Sequence, residues 1–280
     1  WIVSGHPVPT QASVDAASQV LEVARRQQAD DLLLVLLSGG ASALMALPAD
    51  GVTLSDKQAA IRTLLTGGAT INELNCVRKH LSAIKGGHLA ASTRATVRTL
   101  AISDVVGDDL SVIGSGPTVP DPSTFADAVQ VLESHGGLSA FPGSVVDRIA
   151  AGAAGRVPET PKAQDPCFAH AVTHLIGGRR DAVDGAAAEA RRLGYDVLVI
   201  DDAIVGEART AAAALAETAR SVGEARHHPL CLIGSGETTV HVRGKGRGGR
   251  NQEFALAMLA ALPRLGAGAM FLSGGTDGID

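Results

Sequence analysis

A short acidic segment, SDVVGDD, directly follows an apolar run and carries the side chains best suited to phosphoryl transfer. It contains Ser103, Asp104, Asp108 and Asp109. Phosphoryl transfer to a hydroxyl needs a carboxylate that orients or deprotonates the hydroxyl, and Mg²⁺ prefers oxygen ligands such as carboxylates. We therefore predict Asp104 as a catalytic residue, and Asp104, Asp108 and Asp109 as magnesium ligands. The alternative is that an aspartate in a turn binds its own backbone.

Residues 38–42, SGGAS, combine two glycines with two hydroxyls after another apolar run. Glycine lets backbone N–H groups approach a ligand, and the N-terminus of a following helix favours phosphate. We predict a phosphate site formed by Ser38, Gly39, Gly40, Ala41 and Ser42. The alternative is a tight turn in which serine only caps the helix.

Two cationic segments could neutralise the charge of a phosphate. Lys85 precedes two glycines in AIKGGH, although it could also be a salt-bridged surface lysine. The stretch RGKGRGGR, residues 243–250, alternates glycine with cations just before a helix predicted to begin near Asn251. Positive charge beside a helix N-terminus suits a developing phosphoryl charge. We predict Arg250 and Lys85 as catalytic and Lys245 as phosphate-binding; the alternative for residues 243–250 is a solvated basic loop.

Four apolar runs, each ending at glycine with serine, threonine or aspartate, must position these side chains. They are LLLVLLSGGAS, TLAISDVVGDD, PLCLIGSGETT and AMFLSGGTDGID, which begin at residues 32, 99, 229 and 269. Such runs are typical of strands buried on both faces of a parallel sheet, where ligands bind beyond the carboxyl ends. The four turns together predict one large anionic site. The last two turns supply the further predicted phosphate-binding residues Gly234, Ser235, Gly236, Glu237, Gly274, Gly275 and Asp277.

Helical periodicity between these runs predicts an α/β fold with mostly parallel sheets. The predicted helices cover residues 13–29, 55–66, 71–81, 124–134, 181–193, 206–222 and 251–262, and the predicted strands include 32–37, 97–103, 169–177, 195–200 and 269–272. The proline-bearing stretch 151–166 predicts a boundary between two domains, 1–158 and 159–280.

Composition and missing motifs disfavour several classes of function. A net charge of −5 and an aromatic content of 2% argue against nucleic-acid binding. No apolar run approaches the roughly 18 residues that span a bilayer. The sequence has no GxxxxGK[ST], and no GxGxxG that opens a helix after a strand with an acidic residue about 20 residues on, which disfavours a P-loop NTPase and a standard dinucleotide fold. Three widely spaced cysteines and no visible targeting segment predict a cytoplasmic protein with reduced thiols.

Taken in order, the motifs resemble one known family, the type-2 glycerate kinases with a MOFRL C-terminal region. The resemblance rests on SGHPVP, SGGASALM, NELNCVRKHLSAIKGG, SDVVGDDLSVIGSGPT, GSGETTVHVRGKGRGGRNQE and SGGTDGID, and it runs from the first residues to the last. It implies two α/β/α domains, a Rossmann-like N-terminal domain and a smaller MOFRL-type C-terminal domain whose MOFRL region begins at about residue 228. Family members are longer, and the chain begins without Met, so we expect missing parts at both ends.

The resemblance also implies an activity and roles for single residues. The activity is ATP- and Mg²⁺-dependent phosphorylation of D-glycerate, most often to 2-phosphoglycerate, by a monomer or a homodimer. The arginine of the family's GGRNQE segment corresponds to Arg250, and we assign Ser115 and Asn251 to substrate binding. A catalytic lysine expected near the family's N-terminus has no counterpart in this chain. Two rivals stay open: an NAD(P)H-dependent hydroxypyruvate reductase, and a non-catalytic protein that binds a nucleotide or a sugar acid.

Overall fold

The computed structural model describes residues 1–223, 229–241, 246–266 and 268–275. The chain divides into two compact units, Trp1–Ile176 and Gly177–Asp280. Both units combine helices with strands, and the predicted α/β fold class is confirmed. The predicted domain limits, 1–158 and 159–280, stay a prediction; the first compact unit continues to Ile176 because a strand at Ala171–Gly177 extends its sheet.

The sheet of the first unit has three strands in the order β1 (Leu32–Leu37), β2 (Thr96–Ile102) and β3 (Ala171–Gly177). Strands β1 and β2 are parallel, with Leu32 opposite Thr96 and Leu37 opposite Ala101. The two strands therefore end at the same edge of the sheet. This register brings the segments that follow them, SGGAS and SDVVGDD, side by side.

The first unit contains seven α-helices, and threonine residues cap three of them at their N-termini. They are α1 (Gln11–Arg26), α2 (Ala41–Leu44), α3 (Leu54–Thr66), α4 (Ile71–His80), α5 (His88–Ala91), α6 (Phe125–Ser134) and α7 (Gly143–Ala153). The side chains of Thr53, Thr70 and Thr124 each accept a hydrogen bond from the third backbone N–H of the helix that follows. Such caps satisfy donors that a helix leaves open at its first turn.

The largest hydrophobic core of the first unit lies among α3, α4, α6 and α7. Its centre includes Leu64, Val77, Leu132 and Ile149, each at most 1% exposed. Burying each such side chain stabilises the fold by about 1.5–3 kcal/mol. Helix α4, which contributes to the candidate site described below, is therefore held rigidly along one side by apolar packing.

Strand β1 is covered on one face only by the described residues. Leu33 and Val35 pack on the core that contains Leu21 of α1, whereas Leu34 and Leu36 are 53% and 72% exposed. The prediction that this run is buried on both faces is therefore wrong for the described part of the chain. The apolar pattern indicated a two-sided sheet, but α1 and the loop after α4 cover a single side.

The described residues of the second unit form three α-helices and four short strands. They are α8 (Arg179–Arg192), β4 (Asp196–Val199), β5 (Ile204–Glu207), α9 (Ala208–Gly223), β6 (Leu230–Ile233), β7 (Gly236–Thr239) and α10 (Arg250–Leu259). Strand β4 pairs with β6 and strand β5 with β7, both in parallel. Helices α9 and α10 pack through Ala208, Ala212, Phe254 and Met258. Short alanine side chains let these two helices approach closely.

Two predicted elements of the second unit differ from the structure. Residues 269–272 were predicted as a strand, but they form no regular element; Phe271 instead stacks on Phe254, with ring centroids 5.4 Å apart. Residues 206–207 were predicted as helical but belong to β5, because they pair with Thr238 and Thr239 of β7. No helix in the described ranges is long and apolar enough to cross a membrane.

Candidate active site

Three residues that the sequence predicted for separate roles meet in one hydrogen-bonded group. Ser42 Oγ lies 3.0 Å from Ser115 Oγ, and the Lys85 ammonium donates to the carbonyl oxygen of Ser42 at 2.9 Å. Ser115 Oγ donates to Asn75 Oδ1 at 2.8 Å. Because the one hydroxyl proton of Ser115 is used in that bond, the bond between the serines has Ser42 as its donor. We call Ser42, Asn75, Lys85 and Ser115 the serine–lysine group.

The chain geometry around Ser115 explains why this group forms. Ser115 has a φ of 61°, which turns its side chain towards α4. Its carbonyl oxygen accepts a hydrogen bond from Gly86 N at 2.9 Å, and the carbonyl oxygen of Gly116 accepts one from Gly87 N at 2.8 Å. Gly86 and Gly87 therefore direct their N–H groups to the protein backbone. In this turn, it is the side chain of Lys85 that contacts Ser42.

Lys85 is not a solvated surface lysine. Its side chain is 1% exposed, and burial lowers the pKa of Lys85 well below its ordinary value. The positive charges of Lys57 and Arg78 lower this pKa further. Lys57 is itself 5% exposed, and burial, with a contribution from Arg78, lowers its pKa to about 7. The site therefore has an electrostatic environment that disfavours extra positive charge.

A buried ion pair lies beside the turn that contains Lys85. Lys79 Nζ lies 3.2 Å from Asp121 Oδ1, and the carboxylate also accepts a hydrogen bond from Thr160 Oγ1 at 3.0 Å. Burial acts to raise the pKa of Asp121, but the charge of Lys79 and the bonds from Ser123 outweigh it and leave this pKa lowered. The pair anchors α4 to the segments around residues 121 and 160.

The SGGAS turn and the acidic segment touch at the edge of the first sheet. A Cβ atom on Gly39 would collide with the carboxylate of Asp104, so a larger residue at this position would displace that side chain. Gly40 has a φ of 78°, a left-handed conformation that favours glycine, and it starts the short helix α2. Ser38 and Asp104 are exposed, whereas Ser42 is half-buried towards the serine–lysine group.

The three predicted magnesium ligands do not form one ligand group. Among the described residues, no three histidine, cysteine, aspartate or glutamate side chains are placed to hold a metal ion. Asp109 Oδ1 accepts the N–H of Ser111 at 2.8 Å, which is the backbone-binding alternative for this residue. Asp108 has a φ of 53°, and its Oδ1 atom is buried without a hydrogen-bond partner. Asp104 and Asp108 stay available as metal ligands, and Mg²⁺ commonly needs only one or two carboxylates.

Two predicted residues at the start of α10, Arg250 and Asn251, contact other residues of the second unit. Arg250 Nη1 and Glu237 Oε1 are 2.6 Å apart, and Ser273 Oγ donates to Asn251 Oδ1 at 2.7 Å. Gly274 and Gly275 follow Ser273 directly, while Gly234 and Gly236 flank the turn between β6 and β7. Lys245 and Asp277 lie outside the described residues.

Sequence reasoning missed one cation of the second unit and three polar residues of the first. Arg179, the first residue of α8, donates to Ser235 Oγ at 3.0 Å and to the carbonyl oxygen of Asp201 at 3.2 Å. The missed residues of the first unit are Lys57, Asn75 and Arg78. The doublet Arg179-Arg180 after two glycines at a strand end was a usable signal. The other three lie inside predicted helices, where the sequence does not indicate which polar side chains are buried.

Comparisons with known proteins match the whole chain to one group of enzymes. A family model described as a domain of unknown function, DUF4147, matches residues 1–150, and the MOFRL family model matches residues 230–280. The chain is 39% identical to glycerate 2-kinase of Pyrococcus horikoshii over 100% of its own length and 63% of that protein. It is 41% identical to D-glycerate 2-kinase of Thermotoga maritima over 99% of its own length and 64% of that protein. The chain belongs to the type-2 glycerate kinase family.

Two further comparisons show how much of each relative's length the chain covers. A crystal structure of glycerate kinase from Thermotoga maritima superposes with a TM-score of 0.77 at 41% identity, over 92% of this chain and 60% of that one. A protein of Agrobacterium vitis named "Putative hydroxypyruvate reductase" is 42% identical over 99% of this chain and 62% of its own length. The chain thus spans less than two thirds of the length of these type-2 glycerate kinase relatives.

Proposed function

We propose that this chain forms part of an ATP-dependent kinase that phosphorylates D-glycerate at its 2-hydroxyl. The observation that carries the proposal is the 41% identity to D-glycerate 2-kinase of Thermotoga maritima over 99% of the chain. The geometry of the first unit supports it, because Ser42, Lys85 and Ser115 share one hydrogen-bonded group beside the glycine-rich turn. Phosphoryl transfer depends mainly on positioning and on charge neutralisation, which hydroxyls and cations supply.

In this proposal, the first unit positions the acceptor hydroxyl. Asp104, exposed at the end of β2 and packed against Gly39, would orient or deprotonate the hydroxyl of the substrate. Asp104 and Asp108 would hold Mg²⁺, which neutralises phosphate charge when it is bound. The buried, unpartnered Oδ1 of Asp108 fits such a role, since a water molecule on the ion could satisfy it. Ser115 and the turn at residues 38–42 would bind substrate and phosphate groups.

The second unit would supply cationic and amide groups for the nucleotide. Arg250 stands at the first position of α10, where helix dipole and guanidinium both favour a phosphoryl oxygen. Glu237 holds this guanidinium in the structure, so nucleotide binding would replace one carboxylate contact with a phosphate contact. Asn251 and the glycines around residues 234 and 274 belong to the same proposed site, with Lys245 and Asp277.

A hydroxypyruvate reductase is the second candidate, because the Agrobacterium vitis relative bears that name. The sequence holds one GxGxxG pattern, GKGRGG at residues 244–249, but it has no acidic residue about 20 positions further on, which the usual dinucleotide-binding element of a reductase carries. This absence favours the kinase. A cytoplasmic location and a monomeric or homodimeric state stay predictions.

Two parallel assays on the purified protein separate the candidates. The first couples ADP release to a detection enzyme, with D-glycerate, ATP and Mg²⁺ as reactants. The second follows NADH oxidation with hydroxypyruvate. We expect ADP release that depends on D-glycerate and no NADH oxidation. NADH oxidation without ADP release would replace the kinase by the reductase, and binding of ATP without either turnover would indicate a non-catalytic protein.

A further inference from the structure

Three cationic side chains of the first unit lie in or next to the serine–lysine group: Lys57, Arg78 and Lys85. Lys57, on α3, donates from its ammonium to the carbonyl oxygen of Leu81 at 3.0 Å, just beyond the end of α4. Lys85 donates to the carbonyl oxygen of Ser42. Arg78 lies on α4, three residues after Asn75 and hence on the same side of the helix. The charge of Arg78 lowers the pKa of Lys57, and the charges of Lys57 and Arg78 lower the pKa of Lys85, as expected for neighbouring cations. We call these three residues the cation cluster.

The cation cluster lacks a carboxylate within the described part of the chain. Two other lysines of the unit are paired: Lys79 with Asp121 at 3.2 Å and Lys162 with Glu159 at 3.5 Å. Lys57 and Lys85 contact only backbone carbonyl oxygens among the described residues, although both are almost completely buried. A buried cation without a counter-ion is strongly disfavoured, and a stable core would replace it with an apolar residue. The portion of the chain that the structure describes supplies no counter-ion for these two buried amines, so an anion from outside the chain would be the partner that favours their protonated forms.

Arg78 and Ser42 are the two residues of this region that solvent, and with it such an anion, reaches. Both residues are half-buried, whereas Lys57, Lys85, Asn75 and Ser115 are buried behind them. A guanidinium binds a carboxylate or a phosphate through two parallel hydrogen bonds, and the Ser42 hydroxyl could donate a third if it turns from Ser115. The two lysines, protonated when the anion is bound, would add positive potential in a medium of low dielectric constant, where it acts most strongly.

We propose that Arg78 is the contact residue of a small oxyanion site and that Lys57 and Lys85 become protonated when the oxyanion binds and add to its counter-charge. The oxyanion is the carboxylate of a short hydroxy acid or a phosphate group of the nucleotide. The inference rests on the proposed function only in naming these two sources. It adds Arg78 and Lys57 to a site for which the sequence indicated Ser42, Lys85 and Ser115.

Isothermal titration of the purified protein distinguishes the two sources. Its probes are D-glycerate, inorganic phosphate and glycerol, which has three carbons but no charge. If the carboxylate occupies the site, D-glycerate binds and phosphate competes weakly; if a phosphate occupies it, inorganic phosphate binds more tightly. Glycerol binds in neither case. Failure of both anions to bind the unmodified protein, or equal binding of glycerol, would overturn the inference.

Two variants and a matched control test the residues. Arg78→Gln should raise the dissociation constant of the bound oxyanion about tenfold or more, because one charge-assisted contact is lost. Lys57→Met should raise the dissociation constant severalfold without lowering the melting temperature. If Arg78→Gln does not fold, the binding measured for Lys57→Met decides the test. Arg62→Gln removes an exposed charge from the same helix as Lys57 and should leave binding unchanged. Unchanged binding in Arg78→Gln and Lys57→Met, or an equal loss in Arg62→Gln, would refute the assignment.

The kinase assay keeps this inference separable from the proposed function. If the protein releases ADP with D-glycerate while Arg78→Gln and Lys57→Met bind normally, the oxyanion site fails and the kinase stands. If Arg78-dependent binding is observed but no ADP is released, the oxyanion site stands and the kinase fails.

Discussion

Replacing Lys57 with methionine should make the protein more stable at neutral pH. It should also reduce the rise in the free energy of unfolding that the unmodified protein shows as the pH increases above about 7. The ammonium of Lys57 is 5% exposed and contacts one carbonyl oxygen, and its pKa falls from 10.5 to about 7. Between these two pKa values, the unfolded chain binds a proton that the folded chain does not. The free energy of unfolding therefore rises as pH increases from about 7 towards 10.5.

The size of this effect follows from the shift. One pKa unit corresponds to about 1.4 kcal/mol, so Lys57 costs the folded protein up to about 5 kcal/mol near neutral pH. Between about pH 7.5 and about pH 9.5, the Lys57 contribution to the free energy of unfolding should rise by about 2.5 kcal/mol. Lys57→Met lacks this contribution, although Lys85, whose pKa is also lowered, keeps part of the slope.

Urea unfolding at those two pH values measures the difference directly. The unmodified protein should gain about 2.5 kcal/mol more than Lys57→Met as the pH rises. Arg62→Met, an exposed cation on α3, serves as the control and should keep the slope of the unmodified protein. Equal slopes in Lys57→Met and the unmodified protein, or a loss of several kcal/mol in Lys57→Met at neutral pH, would show that Lys57 is charged and well paired.

Three further predictions concern the ion pair, the arginine and the acidic segment. Lys79→Met leaves the buried Asp121 carboxylate without its cation, and urea unfolding should reveal a loss of about 3–5 kcal/mol; a loss within error would contradict the buried pairing. Arg250→Ala should lower kcat/KM for D-glycerate and ATP by about 10²–10³-fold with an unchanged melting temperature, so near-normal kcat/KM removes Arg250 from the mechanism. Asp104→Asn should change the Mg²⁺ concentration at which ADP release is half-maximal, and an identical Mg²⁺ titration would refute the carboxylate assignment.

The strands of the first sheet could be predicted from the sequence because local preference and tertiary contacts agree there. The run at β1 was predicted at its observed bounds, and its parallel pairing with β2 follows from the long helical segments between them. The uncovered face of β1 could not be predicted, since an apolar run looks the same whether one or both faces are packed. The strand prediction for residues 269–272 was wrong for a related reason. The apolar side chain of Phe271 packs by stacking on Phe254, without a strand partner.

The candidate site was predictable where glycine and hydroxyl clusters follow strands, and obscure where it lies inside helices. Ser42, Lys85 and Ser115 were chosen from separate segments, and the backbone turn at Ser115 brings them together. Lys57 and Arg78 escaped notice because a cation in an amphipathic helix normally points to solvent. Their burial depends on how α3 and α4 pack against the loop at Leu81, which is a long-range contact that no local pattern encodes.

Phosphorus NMR of the reaction mixture tests the proposed kinase activity most directly. The purified protein is incubated with ATP, Mg²⁺ and D-glycerate, and the spectrum is compared with authentic 2-phosphoglycerate and 3-phosphoglycerate. We predict the ADP resonances together with a single new phosphate ester that coincides with 2-phosphoglycerate. A spectrum with unchanged ATP would contradict the proposed kinase, and an ester that coincides with 3-phosphoglycerate would contradict transfer to the 2-hydroxyl.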